Sequence, residues 1–126
     1  MSADPGLPRI LGVIAAGGIA GSLARYGLAE AIPHSPGGFP WSTFVTNVAG
    51  CFAIGLLLAR ITPRTHSLLR PFLATGVLGG FTTFSTFAVD TERLLPHHAI
   101  VALVYFFGTL LAALLAAALG DWVASR

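Results

Sequence analysis

The chain has 126 residues, 55% of them hydrophobic and only 10% charged, with a mean hydropathy of +0.81 and a formal net charge of +2. That composition is too apolar for an ordinary soluble domain and points to a membrane protein. The cations are all arginines, scattered rather than clustered, so no basic stripe tracks a phosphate backbone and nucleic acid is excluded as a partner.

Four segments supply the roughly 20 apolar residues that a bilayer core demands, at residues 10–31, 41–61, 68–95 and 99–123. The expectation is an all-α membrane protein with one four-span domain over residues 1–126. The lead-in "MSADPGLP" reads as disordered or surface-lying. The first segment is read as a span and not a cleaved signal, because Asp4 precedes it and Arg9 is the sole early cation. Within it, Gly17 and Gly21 form a small-xxx-small face that admits a close helix neighbour. Arg25 either snorkels to the interface or sits at a pore mouth, where it would concentrate anions.

The connections "IPHSPGGFP", "RITPRTHS" and "RLLPHHA" are short and rich in breakers, leaving no room for a soluble domain. In the second span Asn47 lies in "STFVTNVAGCF", with Thr43 one helical turn before it on the same face. Its amide has two N–H donors, which suit either an anion stripped of water or helix-to-helix glue, and both readings stay open. Cys51 has no intrachain partner and reads as packing.

The third segment is the anomaly. Its about 28 residues would extend roughly 42 Å as continuous helix, well beyond a hydrocarbon core of about 30 Å. At its centre stands "GGFTTFSTF", with adjacent Gly79 and Gly80 followed by Thr82, Thr83, Ser85 and Thr86. Those side chains compete for backbone hydrogen bonds, which predicts a break near residues 79–83. A break inside a bilayer is tolerated only where its freed N–H and C=O groups are buried in protein or face a hydrated cavity. A half-helix starting near Thr83 would aim N–H groups at an anion, and carbonyls ending the preceding half could hold a cation. Phe81, Phe84 and Phe87 recur every three residues, a helical ridge whose positive ring edges could attract a small anion.

Asp90 and Glu92 follow toward the membrane surface, and His34, His66, His97 and His98 lie in loops. Adjacent His97 and His98 make a poor metal pair, and no nucleophile–base set, phosphate loop or intramembrane carboxylate pair suggests an enzyme. In the fourth span Tyr105 offers a buried hydroxyl or serves as a packing aromatic. With four spans, Arg9, Arg60, Arg64, Arg70 and Arg126 share one side and Arg93 and Arg25 the other, so the positive-inside rule places both termini in the cytoplasm.

"GGFTTFSTF" in the third span, "TFVTN" in the second and "GSLARY" in the first together resemble the Fluc (CrcB) fluoride channel family over nearly the whole chain. The resemblance implies an antiparallel, dual-topology dimer with two narrow pores and a structural sodium ion at its centre. It implies that Phe84 and Phe87 contact fluoride by their edges and that Asn47 donates from its amide. Ser85, Thr86 and Thr43 match the family's hydroxyls, Arg25 its vestibule cation and Tyr105 its fourth-span tyrosine. The carbonyls of Gly79 and Thr82 would hold the sodium. The implied function is passive export of cytoplasmic fluoride across a prokaryotic plasma (inner) membrane. The partner is a second copy or, given the arginine bias, an oppositely oriented paralogue. Rival readings are a four-span multidrug exporter, for which the first span offers only Glu30 at its end, and a noncatalytic packing subunit of a membrane complex.

Overall fold

A chain this apolar must satisfy its backbone inside each crossing segment, and the helix does so without any partner strand. The computed structural model describes residues 4–126, so the first three residues of the lead-in lie outside the described residues. Within that range every regular element is helical. Four helices are long and apolar enough to cross a membrane: Leu7–Ala31, Trp41–Arg60, Pro71–Leu94 and Ala99–Ala124.

The third span is joined but bent. It opens with wide, π-type winding over Pro71–Leu78, in which the Gly79 amide reaches back to the Ala74 carbonyl. One α-turn, Gly79–Phe81, follows. Thr82 (φ −79°, ψ 156°) and Thr83 (φ −147°, ψ 120°) are then extended, and the helix resumes as Phe84–Leu94. Both extended residues lie in the β region open to any side chain, so the bend needs no left-handed residue.

The spans pack as two parallel pairs, first with third and second with fourth. Lipid chains are as apolar as the helices, so association relies on close contact and hydrogen bonds. Glycine supplies the closeness. A Cβ added at Gly17 would lie 2.5 Å from the Phe72 carbonyl oxygen, and one at Gly80 would lie 2.5 Å from that of Gly18. One at Gly21 would overlap the Val77 carbonyl oxygen. In the other pair, Gly55 and Gly120 lie in the same way against the carbonyls of Ala117 and Phe52. A buried cluster of Phe87, Leu94, Ala102 and Tyr105, flanked by Phe39, Phe44 and Phe106, ties the second half of the third span to the second and fourth spans. Outward residues such as Phe107 and Leu114 remain exposed, as expected of faces that meet lipid or another chain.

Candidate functional site

The bend frees backbone groups that a continuous helix would pair, and side chains from two other spans meet them. Asn47 makes a reciprocal pair with Thr83. The Thr83 N–H donates to Oδ1 at 2.9 Å, and Nδ2 donates to the Thr83 carbonyl at 3.0 Å. Only this orientation of the amide satisfies both bonds, and it leaves one N–H of Asn47 uncommitted. On the other side, the Gly80 carbonyl accepts from Nε of Arg25 at 3.2 Å and from the Ser22 hydroxyl at 3.5 Å. Local hydroxyls do the rest. Thr82 Oγ1 donates to the Leu78 carbonyl at 2.9 Å, and Thr83 Oγ1 caps the resumed helix by accepting from the Thr86 N–H at 3.1 Å.

Two cavities flank the Asn47–Thr83 pair. One, of about 170 Å³, is lined by Arg25, Ser42, Thr43, Thr46, Thr83 and Thr86, so hydroxyls and one guanidinium face each other there. The other is an apolar groove of about 320 Å³ whose walls include Asn47, Gly79, Thr82, Phe84 and Phe87. Cys51 also lines this groove as a free, half-buried thiol.

The phenylalanines part company. Phe81 belongs to the turn before the extended residues, so the three rings do not form one helical ridge. Phe84 is 77% exposed on the groove, whereas Phe87 is 3% exposed and stacks on Phe106 with centroids 5.3 Å apart. Their own centroids are 6.1 Å apart. Tyr105 is fully buried behind Phe87, at 5.2 Å, and its hydroxyl donates to Asp90 Oδ2 at 3.1 Å. Ser85 is exposed, with its hydroxyl 3.3 Å from that of Thr83.

Among the described residues no group of three or more His, Cys, Asp or Glu side chains could hold a metal. Backbone oxygens are the available cation ligands. In an unbroken helix the Gly79 carbonyl would accept from the Thr83 N–H, which here goes to Asn47. The Thr82 carbonyl would accept from the Thr86 N–H, which goes to Thr83 Oγ1. Both carbonyls thus lose their usual helical donor, and both residues line the apolar groove.

Ser22, Ser42, Thr46 and Thr109 were not expected at the site. Ser42 and Thr46 lie one turn apart and next to Thr43 and Asn47, so a polar stripe on the second span did signal them. Thr109 follows Tyr105 by one turn. It is 3% exposed on the groove wall, and its hydroxyl lacks a partner among the described residues.

The family model described as "CrcB-like protein, Camphor Resistance (CrcB)" matches residues 12–121. The chain is 50% identical over 120 residues to the "Fluoride-specific ion channel FluC 2" of Nocardia farcinica, covering 93% of this chain and 86% of that one. It is 47% identical to the "Fluoride-specific ion channel FluC 1" of Streptomyces coelicolor, covering 93% of this chain and 78% of that one. The "Fluoride-specific ion channel FluC" of Thermus thermophilus is 48% identical over 118 residues, with 91% and 92% covered. Because the match runs through all four membrane-length helices and both sides of the bend, the chain is a multi-pass cell-membrane protein that belongs to the CrcB-like family.

Proposed function

We propose that the chain forms a fluoride-selective channel through which cytoplasmic fluoride leaves passively. The observation that carries this reading is the bend at Thr82–Thr83, where backbone and side-chain polar groups gather at membrane depth without a titratable carboxylate or a soft metal ligand among the lining residues of either flanking cavity except Cys51. The names of relatives at 47–50% identity support fluoride as the permeant ion.

Fluoride is small and tightly hydrated, so a pore must replace its water with many close donors. The uncommitted N–H of Asn47, the hydroxyls of Thr43, Ser85 and Thr86, and the positive edges of Phe84 and Phe87 would serve. Arg25 would raise the local anion concentration beside the hydroxyl-lined cavity it borders, and Tyr105 would support Phe87 from behind. Neutral donors along the narrowest part favour release as well as entry, where a fixed cation would hold the ion too tightly.

The bend works in this reading as a true break, and the carbonyls of Gly79 and Thr82 would hold a structural sodium ion. Sodium would supply a positive charge and a tie point between chains. One chain offers two such oxygens, fewer than an oxygen-ligated cation takes, which argues for a second chain across the groove. That chain would be an antiparallel copy or an oppositely oriented paralogue. Export follows from acid–base chemistry, since hydrogen fluoride entering from acidic surroundings dissociates in the more neutral cytoplasm and the trapped anion exits through the pore. A proton-coupled exporter finds less support, because Glu30 is exposed at the end of the first span.

Purified protein in liposomes should release fluoride rapidly and chloride barely, as read with ion-selective electrodes. Equal release of both ions, or of neither, would overturn the proposal.

A further inference from the structure

Arg25 stands where a pore charge and a structural clamp predict different things. Its side chain is half-buried, and Nε, not a terminal amino group, donates to the Gly80 carbonyl at 3.2 Å. Ser22, one turn earlier on the same face, reaches the same oxygen at 3.5 Å. That carbonyl closes the turn Gly79–Phe81, and its partner in a continuous helix would be the Phe84 N–H, now carried away by two extended residues. At membrane depth it needs a donor, and at the negative end of a helix a cationic one suits best. The first span lies close enough to supply it, since a Cβ at Gly80 would sit 2.5 Å from the Gly18 carbonyl oxygen. Across the bend, Asn47 holds Thr83. The extended pair is thus gripped from the first span on one side and from the second span on the other.

We propose that Arg25 is a positioning residue: its Nε–H, more than its charge, holds the Gly80 carbonyl against the first span and so fixes where Thr82 and Thr83 meet Asn47. Among the described residues no hydrogen bond engages its terminal amino groups, and Arg25 borders the hydroxyl-lined cavity. The proposal rests on the fluoride-channel reading for its flux readout and on hydrogen bonding alone for its exchange readout.

Three variants of the full chain separate donor from charge. In Arg25→Gln the amide nitrogen hangs from Cδ as Nε does, so a neutral donor keeps the same bonded position. In Arg25→Lys that position is a methylene and the charge lies one bond farther out. Arg25→Met removes both. Deuterium exchange in the peptide spanning Gly79 to Ser85 should stay within about threefold of the parent for R25Q and rise about tenfold or more for R25K and R25M, the factor expected when a charge-assisted bond is lost. Fluoride efflux also depends on the Arg25 charge, so it should fall in both neutral variants, but less in R25Q than in R25M, because only R25Q keeps the donor. Should R25K match the parent in exchange while R25Q fails, the charge is what holds the Gly80 carbonyl and the proposal falls. Uniform behaviour of the three variants, all intact or all impaired, overturns it as well. A parent chain that carries no fluoride would remove the channel reading, yet the exchange comparison would still decide the role of Arg25.

Discussion

Replacing Asn47 by leucine tests the bend most directly, because the two side chains are near-isosteric and only the polar pairing is lost. Two hydrogen bonds disappear, at 2.9 and 3.0 Å, and both belong to the backbone of one residue, Thr83. A buried backbone group left unpaired costs about 1–3 kcal/mol, so the pair is worth about 2–6 kcal/mol. Asn47 is half-buried and lines the groove, so partial hydration brings the value to about 2–3 kcal/mol. Leucine's better helix propensity returns only a few tenths of about 1 kcal/mol. A loss of this size should accelerate exchange of the Thr83 amide about 30- to 150-fold and lower the melting temperature followed by tryptophan fluorescence. Trp41 begins the second span and Trp122 lies near the end of the fourth, so both ends of that helix pair report. If N47L melts with the parent and protects Thr83 equally, the Asn47 amide does not hold the bend, and the account of how the third span tolerates its extended residues is wrong.

Gly21→Ala should cost about 1–3 kcal/mol or more in thermal melts, since its Cβ would overlap the Val77 carbonyl oxygen, whereas Gly12→Ala, with nothing within 4 Å, should be neutral or stabilising. Phe84→Ile and Phe87→Ile should both depress fluoride efflux, but only Phe87→Ile should lower the melting temperature, by about 1–2 kcal/mol of lost packing, because Phe84 is 77% exposed and Phe87 is 3% exposed. Tyr105→Phe removes the 3.1 Å bond to Asp90 and should cost about 1.5 kcal/mol in the same melts; an unchanged transition would show that Asp90 finds an equal partner in water.

Much of the fold was legible because bilayer physics writes it in one dimension. Apolar run length and short breaker-rich loops marked four spans, and Gly17 and Gly21 marked the helix face that meets Gly76 and Val77. The hydroxyl-rich stretch after two glycines marked residues 79–83 as unable to stay an ordinary helix, and the extended pair lies there. What stayed hidden depends on partners distant in the chain. Asn47 could be donor or glue on sequence grounds, and its pairing with a residue 36 positions away settles that one face of the amide is structural. Arg25 read as a mouth or interface charge, and its nearest polar partner is a carbonyl 55 positions away. The phenylalanine ridge failed for a local reason. A spacing of three implies one face only while the helix is continuous, and two extended residues rotate Phe81 away from Phe84 and Phe87. The wide winding of Pro71–Leu78 left no trace in hydropathy, because composition does not distinguish i→i+5 from i→i+4 bonding.

The placement of Arg25 also sharpens how the chain should sit in the membrane. Arg60 Nε donates to the Ala124 carbonyl at 2.8 Å, so the ends of the second and fourth spans share one face, which also carries Arg9, Arg64, Arg70 and Arg126. On the opposite face the loop glycine Gly37 lies against His98, and Arg93 is nearby in sequence. Arg25 does not count toward that second face as a loop charge would, since its guanidinium is engaged at Gly80 inside the helix pair. Orientation follows arginines in loops and flanks, not those engaged within a bundle, so the imbalance is five against one and a single orientation with cytoplasmic termini is expected. A C-terminal reporter active on one side only would meet that expectation. In an antiparallel pair the partner would then have to be a different chain, because a chain with one orientation cannot supply its own inverted copy. Equal signal from both sides would refute the single orientation and return the second copy as the partner.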